Sequence, residues 1–203
     1  RLQKSLGSMD VQAARMENLI SDLLWLSRIE SVEGERKDDK LDLVDLLNHL
    51  CEELMAAWPG RKIELVTSSK LCVLGNAAEL RSAISNLIVN ALKYSEAPVS
   101  VRWSDTVVGP ELLVEDQGPG IDSKHIPRLT ERFYRVDKSR SQATGGTGLG
   151  LAIVKHVAVS HDAKLFIDSE LEKGSTFRLV FPNDRAVSCD VCSTERERTD
   201  ASQ

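Results

Sequence analysis

The chain has 203 residues, enough for one domain with appendages or for two small domains. Hydrophobic residues make up 41% of it and charged residues 28%, which are ordinary globular values and exclude collagen-like, mucin-like and wholly disordered proteins. The net charge of −5 argues against a general nucleic-acid binder, since such a chain repels polyanions. No apolar run reaches the roughly 18 residues of a membrane span, so we expect a soluble chain without one.

Residues 1–30 carry apolar side chains at alternating steps of four and three, from Leu2 to Leu23. This heptad seam predicts one long helix. A stripe so apolar on so long a helix needs partner helices, and its periodicity fits a core helix and a dimerisation helix equally well. The polar, highly charged residues 31–40 that follow predict a linker.

The next part of the chain alternates between helical and strand patterns. They predict a helix at 41–58, strands at 62–66 and 71–74, a helix that ends at Tyr94, and strands at 99–103 and 111–115. A Gly/Thr/Ser-rich loop, Ser139–Gly148, precedes a helix at 149–160 and strands at 163–168 and 176–181. Residues 183–203 lack aromatic residues and hold eight charged side chains, so we expect a disordered tail there.

Four cysteines are too few and too unevenly spaced for a secreted disulfide scaffold of this length. This usage favours a reducing, cytosolic compartment. Cys189 and Cys192 have the spacing of half a zinc site or of a redox motif, but no second Cys or His pair lies nearby. We therefore expect both to be free thiols.

The helix at 78–94 has an unusual polar face. Asn86, Asn90 and Lys93 fall together, about 120° from its apolar face at 100° per residue. Asn is disfavoured inside helices because its side chain competes for the backbone. Neutral oxygens suit a hydrated hard cation and an ammonium suits a phosphate, although a merely solvated polar face has the same composition.

Two segments contain several glycines: one follows a predicted strand and the other precedes a predicted helix. In Asp116-Gln117-Gly118-Pro119-Gly120 an acidic residue at a strand end is followed by two glycines, a pattern that fits recognition of a base or sugar edge and also fits a tight turn. Gly145–Gly150 precedes an apolar helix, where backbone amides and the helix dipole gather phosphates. Its spacing matches neither a P-loop nor a Rossmann motif.

Taken together, these segments resemble the nucleotide-binding boxes of bacterial sensor histidine kinases. The N, G1, F and G2 boxes of that family are similar to Asn86-Leu-Ile-Val-Asn90-Ala-Leu-Lys93-Tyr94-Ser95, Asp116-Gln-Gly118-Pro-Gly120-Ile, Arg132-Phe133-Tyr134-Arg135-Val-Asp137 and Gly146-Thr-Gly148-Leu-Gly150-Leu-Ala-Ile-Val. Order and spacing both agree over residues 41–182. Residues 1–30, which close with Leu26-Ser27-Arg28-Ile29-Glu30, resemble the second dimerisation helix, and the phosphate-regulon sensor kinases are the most similar type.

The resemblance implies an α+β fold: a Bergerat-type two-layer sandwich, a mixed sheet covered by helices, preceded by one long dimerisation-type helix and binding ATP under a mobile lid. It implies a second dimerisation helix at 1–30 and an ATP-binding catalytic domain at 41–182, joined by the predicted linker at 31–40 and followed by the predicted tail at 183–203. It makes Asn90 the Mg²⁺ ligand and Asn86, Lys93 and Arg135 the residues near the reacting phosphates. The other implied nucleotide contacts are Tyr94, Asp116, which would accept from the adenine amino group, Gly118, Gly120, Phe133, Gly146, Gly148, Leu149 and Gly150.

Two departures from the family pattern stand out. Where the family has His-Gly-Gly, this chain has His161-Asp162-Ala163, so that turn must form without glycine. In the phosphoacceptor H box of the family, the histidine is followed by an acidic residue and an Arg-Thr-Pro-type run. None of the four histidines of this chain has these flanking residues. We therefore expect the acceptor on a first dimerisation helix upstream of Arg1, and structural or solvent-exposed roles for the four histidines.

The resemblance implies a kinase that passes the ATP γ-phosphoryl to that histidine and then to an aspartate of a response regulator. It implies a second protomer joined through a helical bundle, and a cytoplasmic catalytic part whose parent protein is anchored at the inner membrane. Two alternatives remain: another Bergerat-fold ATPase of the chaperone, mismatch-repair or gyrase kind, and a non-catalytic adapter that binds a nucleotide or a partner helix.

Overall fold

A computed structural model describes residues 13, 16, 17, 19–27, 38–136 and 146–189 of the chain. The predicted first helix is confirmed over residues 19–27, which form α1, and the rest of the prediction for 1–30 falls largely outside the described residues. Residues 31–37 of the predicted linker and 139–145 of the predicted Gly/Thr/Ser-rich loop also lie outside them. No helix within the described ranges is both long enough and apolar enough to cross a membrane.

In the described residues three further α-helices follow, α2 (Leu43–Ala57), α3 (Ala77–Tyr94) and α4 (Gly150–Ser160). Side chains cap two of them at the N-terminus, since Asp42 accepts from the amide of Val44 at 2.9 Å and Asn76 accepts from that of Glu79 at 3.1 Å. All three of these helices, α2, α3 and α4, begin within two residues of their predicted starts.

The strands form two sheets. The larger has the order β2-β4-β5-β7-β6, and the smaller has the order β1-β3-β8. Within the larger sheet β2 and β4 are parallel and the other pairs are antiparallel, which confirms the predicted mixed sheet. The strands are β1 Asp39–Leu41, β2 Ile63–Thr67, β3 Leu71–Gly75, β4 Val99–Thr106, β5 Gly109–Asp116, β6 Lys164–Glu170, β7 Gly174–Val180 and β8 Ala186–Ser188.

The core lies between the helices and one face of the larger sheet. The apolar face of α3 is central to it, with Leu80, Ile84 and Leu87 fully buried against α4 and the sheet. From the sheet, Trp103 and Phe181 meet edge to face with ring centroids 6.0 Å apart. Leu26 of α1 is also buried in this core, so the first helix packs directly on the domain.

The predicted boundaries at residues 40 and 183 are wrong. β1 begins at Asp39, inside the predicted linker, and pairs with β3. Residues 183–189 are folded rather than disordered, because β8 completes the small sheet on the other edge of β3. Arg185 further fixes this segment by ion pairs with Asp38 and Asp162.

The prediction that Cys189 is a free thiol is also wrong. The β3–β8 register places Cys72 opposite Val187, and Cys72 forms a disulfide with Cys189 across a Cα–Cα distance of 5.1 Å. Cys192 lies outside the described residues. Cys51 is a free and buried thiol, and burial raises its pKa to about 11, so it is an unreactive core residue.

The turn after α4 forms without glycine, as the sequence requires. Asp162 adopts a left-handed conformation with φ of 54°, which Asp tolerates better than most residues. His161 is fully buried beside it. Its Nδ1 lies 2.8 Å from the carbonyl oxygen of Val157, and its Nε2 lies 3.0 Å from the backbone nitrogen of Asn76. Nε2 must accept from that amide, so Nδ1 donates to Val157 and the ring joins α4 to the N-cap of α3.

Replacing this ring should destabilise the fold. His161→Ala leaves the Asn76 amide without its partner and opens a cavity, so we expect the free energy of unfolding to fall by about 2–4 kcal/mol. The measurement is urea denaturation followed by circular dichroism. His49 on α2 is exposed, and His49→Ala should leave the urea midpoint unchanged. Equal midpoints for the two variants would remove the structural role of His161.

Candidate functional site

The C-terminal half of α3 presents the three polar side chains that the sequence singled out. Asn86, Asn90 and Lys93 are each partly buried, in contrast to the fully buried residues of the opposite face. Tyr94 ends the helix with its side chain half exposed. The helix thus offers two amides and an ammonium at one edge of the domain.

Asn86 connects α3 to the start of α4. Its Nδ2 donates to the carbonyl of Ser82 at 2.9 Å, which orients its Oδ1 toward the backbone of Gly150. A Cβ on Gly150 would lie 2.6 Å from that oxygen, closer than any ordinary contact. A side chain at position 150 would therefore displace the amide of Asn86 from this position.

Lys93 is influenced by one carboxylate and one guanidinium. Burial lowers its pKa, the carboxylate of Asp22 on α1 opposes that effect, and the guanidinium of Arg135 adds to it. Desolvation and a second cation both disfavour the ammonium form. A phosphate oxygen beside Lys93 would favour its ammonium form in the same way as the Asp22 carboxylate does.

Asp116 ends β5 as a buried carboxylate, only 6% exposed. Burial raises its pKa, and hydrogen bonds from the backbone amides of Gly118 and Ser175 oppose the shift. The Gly118 amide donates to Oδ1 at 2.8 Å. A carboxylate can accept about four hydrogen bonds, so these two amides leave acceptor capacity at Asp116.

Both predicted glycines of the G1 segment allow close approach of protein backbone. A Cβ on Gly118 would lie 2.6 Å from the carbonyl oxygen of Tyr94, and one on Gly120, where φ is 68°, would lie 2.0 Å from that of Glu170. Gly118 thus lets the loop carrying Asp116 pass directly beneath the end of α3. Their contact with a nucleotide stays a prediction.

The F and G2 segments also meet. The amide of Phe133 donates to the carbonyl of Gly148 at 2.9 Å, and both residues have positive φ, 63° and 76° respectively. A Cβ on Gly148 would lie 2.9 Å from the Phe133 backbone, and one on Gly146 would lie 3.7 Å from the guanidinium of Arg135. The half-exposed Phe133 is thereby fixed to the loop that precedes α4.

Among the described residues, the N-cap position of α4 supplies no side-chain acceptor. Leu149 is its fully buried N-cap residue, and no side chain accepts from the first-turn amides in the described structure. Such a helix start, together with the backbone of Gly146 and Gly148, is suited to phosphate oxygens.

Sequence reasoning missed one residue that contacts this region. Asp22 of α1 accepts a hydrogen bond from the hydroxyl of Thr147 at 2.8 Å. Asp22 lies 125 residues from its partner and outside the heptad seam, so no local pattern indicated the contact.

The residues present fit a magnesium ion that accompanies a polyphosphate. No group of three or more His, Cys, Asp and Glu residues is placed to hold a metal within the described ranges. Asn90 makes no side-chain hydrogen bond there, so its amide oxygen is available. Mg²⁺ commonly takes one or two protein oxygens and completes its shell with phosphates and water, which is what Asn90 could provide.

Comparison with known proteins gives the family. Residues 75–185 match the family model described as "Histidine kinase-, DNA gyrase B-, and HSP90-like ATPase". The phosphate regulon sensor protein PhoR of Pseudomonas aeruginosa is 47% identical over 89% of this chain, and that of Haemophilus influenzae is 39% identical over 92%. The sensor-like histidine kinase SenX3 of Mycolicibacterium smegmatis is 37% identical over 94%. The chain spans 42%, 44% and 51% of these relatives, about half their length or less.

Solved structures agree with the sequence relatives. The mycobacterial sensor histidine kinase MprB is 29% identical, with a TM-score of 0.63 over 71% of this chain and 97% of that chain. Full-length ShkA in complex with AMPPNP is 27% identical, with a TM-score of 0.72 over 90% of this chain and 39% of that one. The predicted Bergerat-type sandwich is confirmed, and the chain belongs to the family of histidine kinase-, DNA gyrase B- and HSP90-like ATPases.

Proposed function

We propose that this chain is the ATP-binding catalytic part of a sensor histidine kinase and delivers the γ-phosphoryl of Mg-ATP to a histidine on a separate dimerisation helix. The observation that carries the proposal is the convergence of four segments on one region: α3 contacts the G1 loop through Gly118 and the G2 loop through Gly150, and the F segment contacts the G2 loop through Gly148. Each contact joins two of the predicted nucleotide-binding boxes.

The residues divide between the two ends of a nucleotide. Asp116 would accept from the adenine amino group, with Tyr94 and the G1 glycines beside it. Lys93, Arg135 and the amides of residues 146–150 would neutralise and orient the phosphates. Bound Mg²⁺ would supply further charge neutralisation, with Asn90 as its protein ligand and Asn86 nearby. Phosphoryl transfer depends mostly on positioning and charge neutralisation, which this set supplies.

The buried carboxylate of Asp116, which we propose selects adenine, should lower the folding stability of the chain at neutral pH. Its pKa is raised by burial, so the folded state binds more protons between the ordinary and the raised pKa, and stability falls as the pH rises through that interval. Asp116→Asn keeps an acceptor for the Gly118 amide and removes the buried charge. We therefore expect its melting temperature at neutral pH to exceed that of the wild type.

The same substitution should abolish the preference for ATP over GTP. In the wild type the six-position oxygen of guanine would face a carboxylate, and an unpaired buried acceptor costs enough to give at least about tenfold preference for ATP. Titration calorimetry with both nucleotides and thermal denaturation check the two effects, with the exposed Asp105→Asn as control. Comparable ATP and GTP affinity in the wild type would contradict the role of Asp116.

The exposed side chains of α1 and the similarity to sensor histidine kinases support two protein partners, a second protomer and a response regulator. The side chains of Ile20, Leu23 and Leu24 on α1, with Met16 just before it, leave an apolar stripe exposed, which suits a helical bundle with a second protomer. We propose that the phosphoryl group passes from the bundle histidine to an aspartate of a response regulator, and that the parent protein is anchored to the inner membrane with this part in the cytoplasm.

A transfer experiment tests the proposal against the adapter alternative. The chain is incubated with labelled ATP, Mg²⁺ and a separate polypeptide that carries an H-box helix. We expect acid-labile, base-stable phosphate on the histidine of that polypeptide, and none on a His→Gln version of it. Nucleotide binding without transfer would favour the adapter, and release of phosphate without any labelled histidine would favour an ATPase of the chaperone or gyrase kind.

A further inference from the structure

The first helix reaches the phosphate end of the proposed site through one carboxylate. Oδ2 of Asp22 accepts from the hydroxyl of Thr147 at 2.8 Å, and that hydroxyl also accepts from the amide of Leu149 at 3.3 Å. Thr147 lies between Gly146 and Gly148, next to the N-terminus of α4. Asp22 thus contacts the loop that is proposed to hold the triphosphate.

Asp22 also interacts with the ammonium of Lys93. Its carboxylate favours the charged form of Lys93, against the effects of burial and of Arg135. With Asn86 it lines a cleft of about 420 Å³ between α1, α2 and α3. The other polar residues of that cleft include Glu53 and Arg81, which pair with each other across it. Asp22 therefore lies where Thr147, Lys93 and Asn86 converge.

We infer that the Asp22 carboxylate acts as an internal competitor of the nucleotide phosphates, so that docking of α1 through Asp22 and binding of the triphosphate oppose each other. This inference rests on the proposed function, since it requires that the phosphates bind beside Thr147 and Lys93. It gives the first helix a direct means of controlling nucleotide affinity.

The competition has two physical sources. A carboxylate and a phosphate oxygen accept from the same kinds of donor, and Asp22 already occupies the Thr147 hydroxyl. Two anions at close range also repel each other, most strongly where water is partly excluded. Linkage makes the effect reciprocal: if the docked carboxylate weakens nucleotide binding, the bound nucleotide weakens docking of α1 by the same factor.

The direction in which one substitution changes ATP affinity separates this role of Asp22 from a role as a magnesium ligand. If Asp22 instead ligated the magnesium ion of bound Mg-ATP, its removal would weaken Mg-ATP binding. If it competes with phosphates, Asp22→Asn strengthens binding, and does so more for metal-free ATP, which carries the larger negative charge. The substitution keeps the size of the side chain and an oxygen for Thr147.

Titration calorimetry of the full chain provides the test, with ATP in EDTA and with Mg-ATP. We expect Asp22→Asn to lower the Kd of metal-free ATP about five- to tenfold, and that of Mg-ATP by less. Glu17→Gln removes one negative charge from an exposed position two residues before α1 and should leave both constants unchanged. An unchanged or higher Kd for Asp22→Asn would overturn the inference while leaving the proposed function intact.

A second measurement does not depend on any variant. Hydrogen exchange of residues 19–27 in the wild-type chain should accelerate on saturation with a non-hydrolysable ATP analogue, because the bound phosphates displace Asp22. Unchanged or slower exchange there would also overturn the inference. Failure of the wild-type chain to bind any adenine nucleotide would overturn the proposed function together with it.

Discussion

Asn90→Ala should lower the affinity for Mg-ATP at least about tenfold while reducing the affinity for metal-free ATP much less. The reason is the position of this amide: it lies with Asn86 and Lys93 on the polar face of α3, and it makes no side-chain hydrogen bond in the described structure. Removing an oxygen ligand therefore weakens binding of the metal ion and leaves the contacts to the base and the phosphates in place.

Calorimetry with and without Mg²⁺ measures this difference. Asn48→Ala is the matched control, because Asn48 is exposed on α2 and the same atoms are removed. Equal Mg-ATP affinity for the wild type and Asn90→Ala would remove Asn90 from the site. A loss of the same size in EDTA would mean that Asn90 contacts the nucleotide rather than the ion.

Incubated alone with labelled ATP and Mg²⁺, the 203-residue chain should acquire no phosphohistidine. None of its four histidines has the flanking residues of an H box. His161 is fully buried with both ring nitrogens engaged, and His125 holds the hydroxyl of Tyr134 at 2.6 Å through Nδ1. Both ring nitrogens of His161 and the Nδ1 of His125 are therefore engaged within the fold.

Acid-labile, base-stable phosphate on the purified chain would contradict this expectation. Mapping would then identify the acceptor among His49, His125, His156 and His161. A chain that stays unlabelled alone and labels a separate H-box helix would show that acceptor and catalytic site reside on different polypeptide segments. Together, the two results separate absence of an acceptor from absence of catalysis.

Local sequence patterns predicted the parts of the site that local geometry determines. The spacing of Asn86, Asn90 and Lys93 placed them on one face of a helix because 3.6 residues complete each turn, and the structure has that helix from Ala77 to Tyr94. The glycines at 148 and 150 were noted as part of a phosphate loop. Their tight contacts, to Phe133 and Asn86, required the fold.

The errors share a physical cause, which is pairing between distant segments. The tail was predicted disordered from its composition, yet the backbone of β8 pairs with β3 and Arg185 pairs with two aspartates. That register alone brings Cys189 to Cys72, across 117 residues. The contact of Asp22 with Thr147 was missed for the same reason, since neither residue interrupts a local pattern.

A crystal structure of the chain with Mg²⁺ and a non-hydrolysable ATP analogue tests the central claim most directly, which is that the four boxes surround one adenine nucleotide. We expect the adenine amino group within hydrogen-bond distance of Asp116, the phosphates at the N-terminus of α4, and Mg²⁺ on the amide oxygen of Asn90. A nucleotide bound elsewhere, or one whose base does not contact Asp116 and whose metal does not contact Asn90, would contradict the account.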